Sequence, residues 1–207
     1  MSRRPAAFLD RDGTIIRDAM FVSGPDTVEL LPGSAEAIRR LNERGVAVIV
    51  VTNQSGIARG LLGLADYEAV RKRLDVLLAS ESLPGSRVPG EPAGRPAARI
   101  DASYMCPHHP DVSGPCDCRK PGLALYRQAI AEHGLDVTHS VFIGDRWRDV
   151  APASVLGGLP ILLDVESTPD EDRARAVVES IATAASLADA VDRFARYLDA
   201  LETAPGR

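Results

Sequence analysis

The sequence contains no apolar run that approaches the roughly twenty residues of a membrane-spanning helix. The first apolar stretch, from Pro5 to Leu9, is too short for the apolar core of a secretory signal peptide. We therefore expect a cytoplasmic protein that has no membrane as a partner.

An excess of positive charge is also missing. The chain has 24 Lys and Arg residues against 29 Asp and Glu residues, which gives a net charge of -5 and a pI of about 5.4. A chain of this charge has no general attraction to nucleic acid, so we expect no nucleic-acid partner. An anionic substrate must then be bound by cations placed locally within a site.

Cysteine is scarce, and its distribution excludes a disulfide framework. The three cysteines lie within thirteen residues as Cys106, Cys116 and Cys118, close to His108 and His109. Three thiolates and one imidazole fill a tetrahedral zinc shell and leave no open position. We therefore predict a structural zinc ion in a loop over residues 106–118, bound by the three cysteines and His108, with His109 as the alternative imidazole.

The chain is long enough for one globular domain over residues 1–207. With 45% apolar residues it would bury roughly 70% of the surface of the unfolded chain. Within it, residues 84–99 carry four prolines together with glycine and arginine, and this composition predicts an exposed loop.

Short apolar runs alternate with amphipathic stretches along the chain. The runs predict buried strands over residues 6–10, 46–53, 140–145 and 159–165. The spacing of apolar residues predicts helices over residues 34–44, 65–81, 123–133, 147–156 and 187–201, with Ser34 as the N-cap of the first. This alternation predicts an α/β fold in which a Rossmann-like, mostly parallel sheet carries helices on both faces.

Two carboxylates follow the first predicted strand at alternate positions, as Asp10 and Asp12. Alternate residues of an extended chain point to the same side. One carboxylate can then attack phosphorus while the other transfers protons. An Asp-x-Asp-Gly sequence also occurs in turns and in calcium loops, and the residues alone leave that alternative open.

Polar residues also follow two later strands, as Thr52-Asn53 and as Asp145 with Asp149. Each group has an ordinary alternative role as a helix cap. The carboxyl ends of parallel strands meet at one edge of a sheet, where open α/β sheets bind ligands. A shared site is therefore a better explanation than three independent caps.

A carboxylate that attacks a phosphate dianion needs a metal ion and a fixed cation beside it. The segment Arg119-Lys120-Pro121 is the obvious source of that cation. Oxygen ligands for Mg²⁺ are available from Asp10, Asp145 and the backbone carbonyl of Asp12.

Four segments resemble, in chain order, the motifs of the haloacid dehalogenase-like (HAD-like) phosphatase superfamily: Asp10-x-Asp12-Gly13-Thr14, Thr52-Asn53, Lys120-Pro121 and Gly144-Asp145-x-x-x-Asp149. The resemblance spans about residues 6–160. Within the superfamily, residues 51–60, 106–110 and 116–121 resemble the family of D-glycero-D-manno-heptose 1,7-bisphosphate 7-phosphatases.

The resemblance implies a magnesium-dependent phosphatase of nucleotide-heptose biosynthesis, without a large cap domain, that removes the 7-phosphate through an aspartyl-phosphate. It implies that Asp10 is the nucleophile, that Asp12 is the general acid and base, and that Thr52 and Lys120 stabilise the phosphoryl group. Magnesium would be held by Asp10, Asp12 and Asp145. The substrate-binding residues that it implies are Asp18, Asn53, Gln54, Ser55, Arg119 and Arg146.

Two other functions are weighed against this one. Histidinol-phosphate phosphatases of the same branch share the catalytic residues and commonly carry arginine at the position of Arg146. An inactive, zinc-stabilised binding protein is the alternative from another class, and the intact Asp10, Asp12, Lys120 and Asp145 count against it. We expect the protein to be a monomer with a small phosphorylated sugar as its substrate.

Overall fold

The computed structural model describes residues 3–18, 24–80 and 96–203. Its strands are β1 (Arg4–Leu9), β2 (Ala47–Asn53), β3 (Ala102–Cys106), β4 (Leu135–Gly144), β5 (Leu159–Leu163) and β6 (Ala182–Ala184). Its α-helices are α1 (Ser34–Glu43), α2 (Leu64–Ser80), α3 (Pro110–Ser113), α4 (Ala124–His133), α5 (Trp147–Val150), α6 (Pro152–Leu156), α7 (Asp170–Val178) and α8 (Leu187–Thr203), and a 3₁₀ turn covers Pro25–Thr27.

All strand pairs in the sheet are parallel, and the strand order is β3-β2-β1-β4-β5-β6. β1 therefore lies between β2 and β4. Strands β2 and β3 lie on one side of β1. Strands β4, β5 and β6 lie on the other side. The predicted α/β fold with a parallel sheet is confirmed, and all four predicted strands are present.

Both faces of the sheet are buried by helices. On β1, Ala7 and Leu9 pack in a core with residues of α1, α2 and α8. The alternate residues Ala6 and Phe8 pack against α4 and α6 on the other face, where the rings of Phe8 and Phe142 stack with centroids 4.7 Å apart. Alternation of side chains along a strand explains why each inner strand is a continuous apolar run.

Two strands and one longer helix were not predicted: β3, β6 and α7. β3 and β6 are the edges of the sheet, so each is paired on one side only and is less buried than the inner strands. Their short sequences, Ala-Ser-Tyr-Met-Cys and Ala-Thr-Ala, lack the apolar run that marks an inner strand.

Two helix details differ from the prediction. The helix expected over residues 147–156 is divided into α5 and α6, because Pro152 has no N–H to donate to the carbonyl of Arg148. Ser34 is the first residue of α1 and not its N-cap. The N-cap is Gly33, which has a left-handed backbone with φ of 80°.

The predicted loop over residues 84–99 lies largely outside the described residues. Of its last four residues, Pro96, Ala97 and Arg99 are exposed, whereas Ala98 is buried in the core. The backbone of Arg99 is held by the side chain of Asn42, which donates to its carbonyl and accepts from its N–H. The end of this stretch is therefore packed against the domain.

The described residues form this one sheet with its flanking helices, and no second domain covers the carboxyl edge among them. In the same ranges, no helix is both long and apolar enough to cross a membrane.

Candidate active site and metal sites

Polar side chains from three adjacent strands meet at the carboxyl edge of the sheet. Asp10 follows β1, Thr52 lies near the end of β2, and Asp145 follows β4. This edge is the topological switch point, where open α/β sheets bind ligands. A cleft of about 250 Å³ opens there. Its lining residues are Asp10, Arg11, Asp12, Asp18, Thr52, Asn53, Gln54, Ser55, Gly56, Lys120, Asp145, Arg146 and Arg148.

Lys120 is buried between two carboxylates at the floor of the cleft. Its Nζ lies 2.7 Å from Asp10 Oδ1 and 2.7 Å from Asp149 Oδ1, and it donates to the carbonyl of Val51 at 2.7 Å. Burial alone lowers the pKa of Lys120, but the attraction of Asp10 and Asp149 outweighs it and raises the pKa. Lys120 is therefore a fixed cation next to Asp10.

The carboxylate of Asp12 is held by two neighbours. Arg11 donates from Nε and Nη2 to Oδ1 at 3.2 and 3.1 Å, and Gln54 Nε2 donates to Oδ2 at 2.8 Å. Burial raises the pKa of Asp12, Asp10 adds to the increase, and Arg11 opposes it. A carboxyl group with a raised pKa is suited to proton transfer near neutral pH.

Three carboxylates form a candidate metal site. Ligand atoms of Asp10, Asp145 and Asp149 lie within 4.8 Å of one another, and all three residues are buried. Oδ1 of Asp145 has no hydrogen-bond partner among the described residues. A buried carboxylate oxygen without a partner, in a set of oxygen donors only, fits a hard cation such as Mg²⁺.

The predicted magnesium ligands are only partly brought together. Asp10 and Asp145 share the group, which also includes Asp149, a residue that the sequence places in the fourth motif but not among the predicted magnesium ligands. Asp149 does cap α5, because its Oδ2 accepts from the N–H of Arg146 at 3.0 Å. The side chain of Asp12 is outside this group, so its predicted contribution is through the backbone carbonyl.

Gly13 allows the carboxylate of Asp145 to lie close to the β1 turn. A Cβ at position 13 would be 2.5 Å from Asp145 Oδ2, and the φ of Gly13 is 79°. Both the close contact and the left-handed backbone favour glycine here.

Metal binding is expected to depend on pH through Asp145. Burial raises the pKa of Asp145 to about 7, with Asp10 and Asp149 adding to the increase. Mg²⁺ binds the ionised carboxylate of Asp145. Below this pKa the carboxyl group is protonated, so binding must displace the proton, and the affinity for Mg²⁺ should fall as the pH falls. Calorimetric titration of the metal-free protein should find binding about tenfold weaker at pH 6 than at pH 8. Equal affinities at the two pH values would contradict this assignment.

Ser167, in the loop between β5 and α7, orients Asp145. Its hydroxyl donates to Asp145 Oδ2 at 2.7 Å. We expect Ser167→Ala to weaken Mg²⁺ binding about tenfold, because residues that orient a metal ligand commonly have effects of this size. Titration of the metal-free protein measures it. Ser154→Ala is the control, since its hydroxyl only caps a carbonyl on the exposed side of the domain.

The predicted substrate-binding residues have different surroundings. Ser55 lines the cleft. At the exposed side of the cleft, Oδ2 of Asp18 lies 3.9 Å from Nη2 of Arg146. Asn53 also lines the cleft, but its side-chain amide bonds both the N–H and the carbonyl of Lys120, at 3.0 and 3.3 Å. Asn53 therefore holds the segment that carries Lys120.

Two residues predicted to bind substrate also form hydrogen bonds within the protein, and their contacts with substrate stay predictions. Gln54 donates to Asp12 and, at 2.9 Å, to the hydroxyl of Thr52, so it positions two catalytic candidates. Arg119 is not among the residues that line the cleft. Its Nη1 donates to the carbonyl of His108 at 3.2 Å, which directs the side chain to the loop that precedes it.

The four predicted zinc ligands converge. Ligand atoms of Cys106, His108, Cys116 and Cys118 lie within 4.8 Å of one another. The sulfur atoms are 3.1 to 3.7 Å apart, and His108 Nδ1 is 3.2 Å from Cys118 Sγ. In a tetrahedral zinc site with Zn–S bonds near 2.3 Å, sulfurs are about 3.8 Å apart. The donor set and its spacing therefore fit zinc.

His109 points away from the sulfur cluster. Its Nδ1 accepts from the N–H of Asp111 at the start of α3, and its Nε2 is 2.6 Å from Arg59 Nη2. The geometry thus favours His108 among the two candidate imidazoles.

The zinc loop is hydrogen-bonded to one wall of the cleft. The N–H of Gln54 donates to the carbonyl of Cys106 at 2.8 Å, and the N–H of Ala58 donates to the carbonyl of Pro107 at 3.1 Å. These bonds attach the segment after β2 to the loop. The same loop leads directly into Lys120.

Sequence reasoning missed four residues of the site: Arg11, Arg148, Asp149 as a member of the carboxylate group, and Ser167. Arg11 and Asp149 lie within motifs that were singled out. Ser167 has no such signal, because it is 22 residues from Asp145 and meets it only through the fold.

Comparisons with known proteins identify relatives of this chain. A HAD-hydrolase-like family model matches residues 117–190. D-glycero-beta-D-manno-heptose-1,7-bisphosphate 7-phosphatase from Escherichia coli O6:H1 is 35% identical over 180 residues, covering 80% of this chain and 87% of that protein. The enzyme of the same name from Photorhabdus laumondii is 34% identical over 187 residues, covering 86% and 92%.

A solved structure is similar over nearly the whole chain. The D,D-heptose 1,7-bisphosphate phosphatase from B. bronchiseptica, in complex with magnesium and phosphate, has a TM-score of 0.77 and 31% identity. The match covers 93% of this chain and 99% of that one. By its sequence identity to relatives that it covers almost completely, this chain belongs to the D-glycero-β-D-manno-heptose-1,7-bisphosphate 7-phosphatase family of HAD-like hydrolases.

Proposed function

We propose that this protein is a magnesium-dependent phosphatase that releases the 7-phosphate of D-glycero-D-manno-heptose 1,7-bisphosphate through an aspartyl-phosphate on Asp10. The observation that carries the proposal is the arrangement at the cleft floor. Asp10 lies next to the buried cation Lys120, and Asp12 lines the same cleft. The family to which the chain belongs supplies the substrate class.

The first half of the reaction forms the phosphoenzyme. A carboxylate oxygen of Asp10 attacks phosphorus, and the bond between phosphorus and the sugar O7 breaks as the new bond forms. Asp12 gives its proton to O7, so that the sugar leaves as an alcohol. Lys120 stabilises negative charge on the phosphoryl oxygens throughout.

The second half returns the enzyme to its starting state. Asp12, now a carboxylate, takes a proton from a water molecule that attacks phosphorus, and the bond to Asp10 breaks. Inorganic phosphate leaves. The hydroxyl of Thr52 accepts from Gln54, so its own proton remains available to a phosphoryl oxygen.

Asp10, Asp145, Asp149 and the carbonyl of Asp12 are the proposed ligands of magnesium. When bound, the ion neutralises repulsion between the nucleophile and the phosphate dianion. We propose a structural role for the zinc ion, because its four ligands leave no open coordination position.

We also propose that the enzyme acts as a monomer in the cytoplasm. The large apolar side chains that are exposed belong to several separate elements, including Leu64 of α2, Val155 of α6 and Val178 of α7. A reducing compartment keeps the thiolates of a zinc site intact. Light scattering during size exclusion measures the mass directly.

Phosphate release across a substrate panel tests the proposal. The panel contains heptose 1,7-bisphosphate in both anomers, fructose 1,6-bisphosphate and histidinol phosphate, each with Mg²⁺. We expect kcat/KM to be at least about a hundredfold higher for a heptose bisphosphate, which corresponds to about 2.7 kcal/mol of transition-state binding. Preference for histidinol phosphate would reassign the substrate, and no release from any compound would overturn the enzymatic proposal.

A further inference from the structure

A second cavity, of about 250 Å³, lies outside the cleft and shares no lining residue with it. Its walls come from the turn after β1, the segment that leads into α1, and the chain at the ends of β5 and β6. Gly13 lines this cavity, and the carboxylate of Asp145, which lines the cleft, packs against Gly13. The contact between Gly13 and Asp145 therefore lies between the two spaces.

The walls of this second cavity are mainly apolar. They include the side chains of Leu31, Leu163, Val165 and Leu187. Ala185 also lines the cavity and is exposed, which places it at the opening. Among the described residues, the lining includes no acidic and no basic side chain. The cavity can therefore accept the apolar body of a small molecule, and it holds no acid that would repel an anion.

Two buried hydroxyl groups belong to residues that line the cavity. Thr14 is 0% exposed and Ser34 is 1% exposed. Neither Thr14 Oγ1 nor Ser34 Oγ has a hydrogen-bond partner among the described residues. A buried polar group without a partner is costly, and such groups are rare in native proteins. Both hydroxyls can donate to an oxygen acceptor on a ligand.

The start of α1 adds a preference for negative charge. Ser34 is the first residue of this ten-residue helix, and no side chain caps its N-terminus. The start of α8, which also borders the cavity, is capped, because the N–H of Asp189 donates to Ser186 Oγ at 3.2 Å. The positive end of a helix dipole favours an anion. Two hydroxyl donors beside the uncapped end of α1 therefore favour a carboxylate over a neutral oxygen.

We propose that this cavity is a binding site for a short-chain aliphatic carboxylate. The carboxylate accepts hydrogen bonds from the hydroxyls of Thr14 and Ser34, and the chain lies against the apolar walls. The cavity is larger than the roughly 150 Å³ that holds a benzene molecule, so a chain of about six to eight carbons fits. This site does not depend on the proposed phosphatase activity.

The cavity borders both segments that hold Asp145. A Cβ at position 13 would be 2.5 Å from Asp145 Oδ2, and Val165 is two residues before Ser167, whose hydroxyl donates to the same oxygen. A ligand in the cavity contacts both segments and restricts their movement. Its presence should therefore strengthen Mg²⁺ binding, by about threefold.

Titration with hexanoate, followed by two-dimensional NMR, tests the site. Saturating Mg²⁺ and inorganic phosphate occupy the cleft, so that its cations do not bind the probe. We expect saturable shifts of the amides of Ala185 and Leu187, with a Kd of about 1 mM, and binding of hexan-1-ol at least about fivefold weaker. No shifts, or shifts confined to the cleft, would overturn the site. Equal binding of hexan-1-ol would overturn the preference for a carboxylate.

Ser34→Ala separates a binding role from a structural one. It should weaken hexanoate about fivefold. The melting temperature of the ligand-free protein should not fall, because the lost hydroxyl has no partner among the described residues. Ser154→Ala is the control, and it should leave the affinity for hexanoate unchanged. Full affinity in Ser34→Ala, or a lower melting temperature without ligand, would contradict the role of this hydroxyl.

Ala185→Phe tests the link to the metal site, because a large side chain at the opening blocks the cavity. Hexanoate should tighten Mg²⁺ binding in the wild type and have no effect in Ala185→Phe. Ala174→Phe, at an exposed position on α7 outside the cavity, should behave like the wild type. Equal Mg²⁺ affinities with and without hexanoate in the wild type would overturn the link to Asp145. Unchanged hexanoate binding in Ala185→Phe would overturn the site.

Discussion

Asp10→Asn is expected to lower kcat by at least about a thousandfold, the largest effect on turnover that we predict. The side-chain amide is not a nucleophile, so the phosphoenzyme cannot form. The exchange keeps the size of the side chain. Phosphate release at saturating substrate and Mg²⁺ measures the effect.

We expect the loss of kcat in Asp10→Asn to come from the missing nucleophile and not from unfolding. In Asp10→Asn, Lys120 keeps its pair with Asp149 and its bond to the carbonyl of Val51, so the melting temperature should stay near that of the wild type. Asp170→Asn removes one charge from a fully exposed side chain and should leave kcat unchanged. Residual turnover above about one part in a thousand would count against Asp10 as the nucleophile.

His108→Ala is expected to cause the largest loss of stability. It removes one of four zinc ligands, and structural zinc contributes about 10 to 16 kcal/mol of apparent binding energy in small domains. A loss of only a few kcal/mol would lower the melting temperature of a chain this size by on the order of 10 °C. Elemental analysis should find less than one zinc per chain, and calorimetry measures the melting temperature. Cys116→Ser should behave in the same way.

His109→Ala is the matched control, because the two histidines are adjacent and only His108 faces the sulfur atoms. The control should keep one zinc per chain. It should lose only the contacts of His109 with Asp111 and Arg59. If His109→Ala lost zinc and His108→Ala kept it, the ligand assignment would be wrong. A fully zinc-loaded, equally stable Cys116→Ser would remove the structural role of the metal.

The inner strands of the fold were predictable because each is an apolar run that is buried on both faces. The edges were not, since β3 and β6 are only half covered and their sequences are short and mixed. The same reason explains α7, which has a single buried residue, Ala176, and so lacks an apolar stripe.

The meeting of site residues was predictable where each residue lies at the carboxyl end of a predicted strand. Asp10, Thr52 and Asp145 were expected to meet, and they do, because their strands are adjacent and parallel. Their catalytic and metal-binding roles remain predictions. The predicted substrate contacts of Arg119 and Asn53 stay predictions, and the pattern did not show the bonds that these residues make within the protein. Both stand beside reactive residues in sequence, yet each makes its bonds to protein backbone.

The sequence by itself determined the α/β class, the meeting of acids at the strand ends and a zinc set of three cysteines with one of two histidines. All three depend on residue types and on spacings within a few positions along the chain. Only the tertiary structure decided that Ser167 orients Asp145, that Asp149 joins the carboxylate group, and that His108 rather than His109 faces the sulfurs. These depend on side chains brought together from distant segments, or on the direction in which a side chain points, and neither is encoded in local spacing.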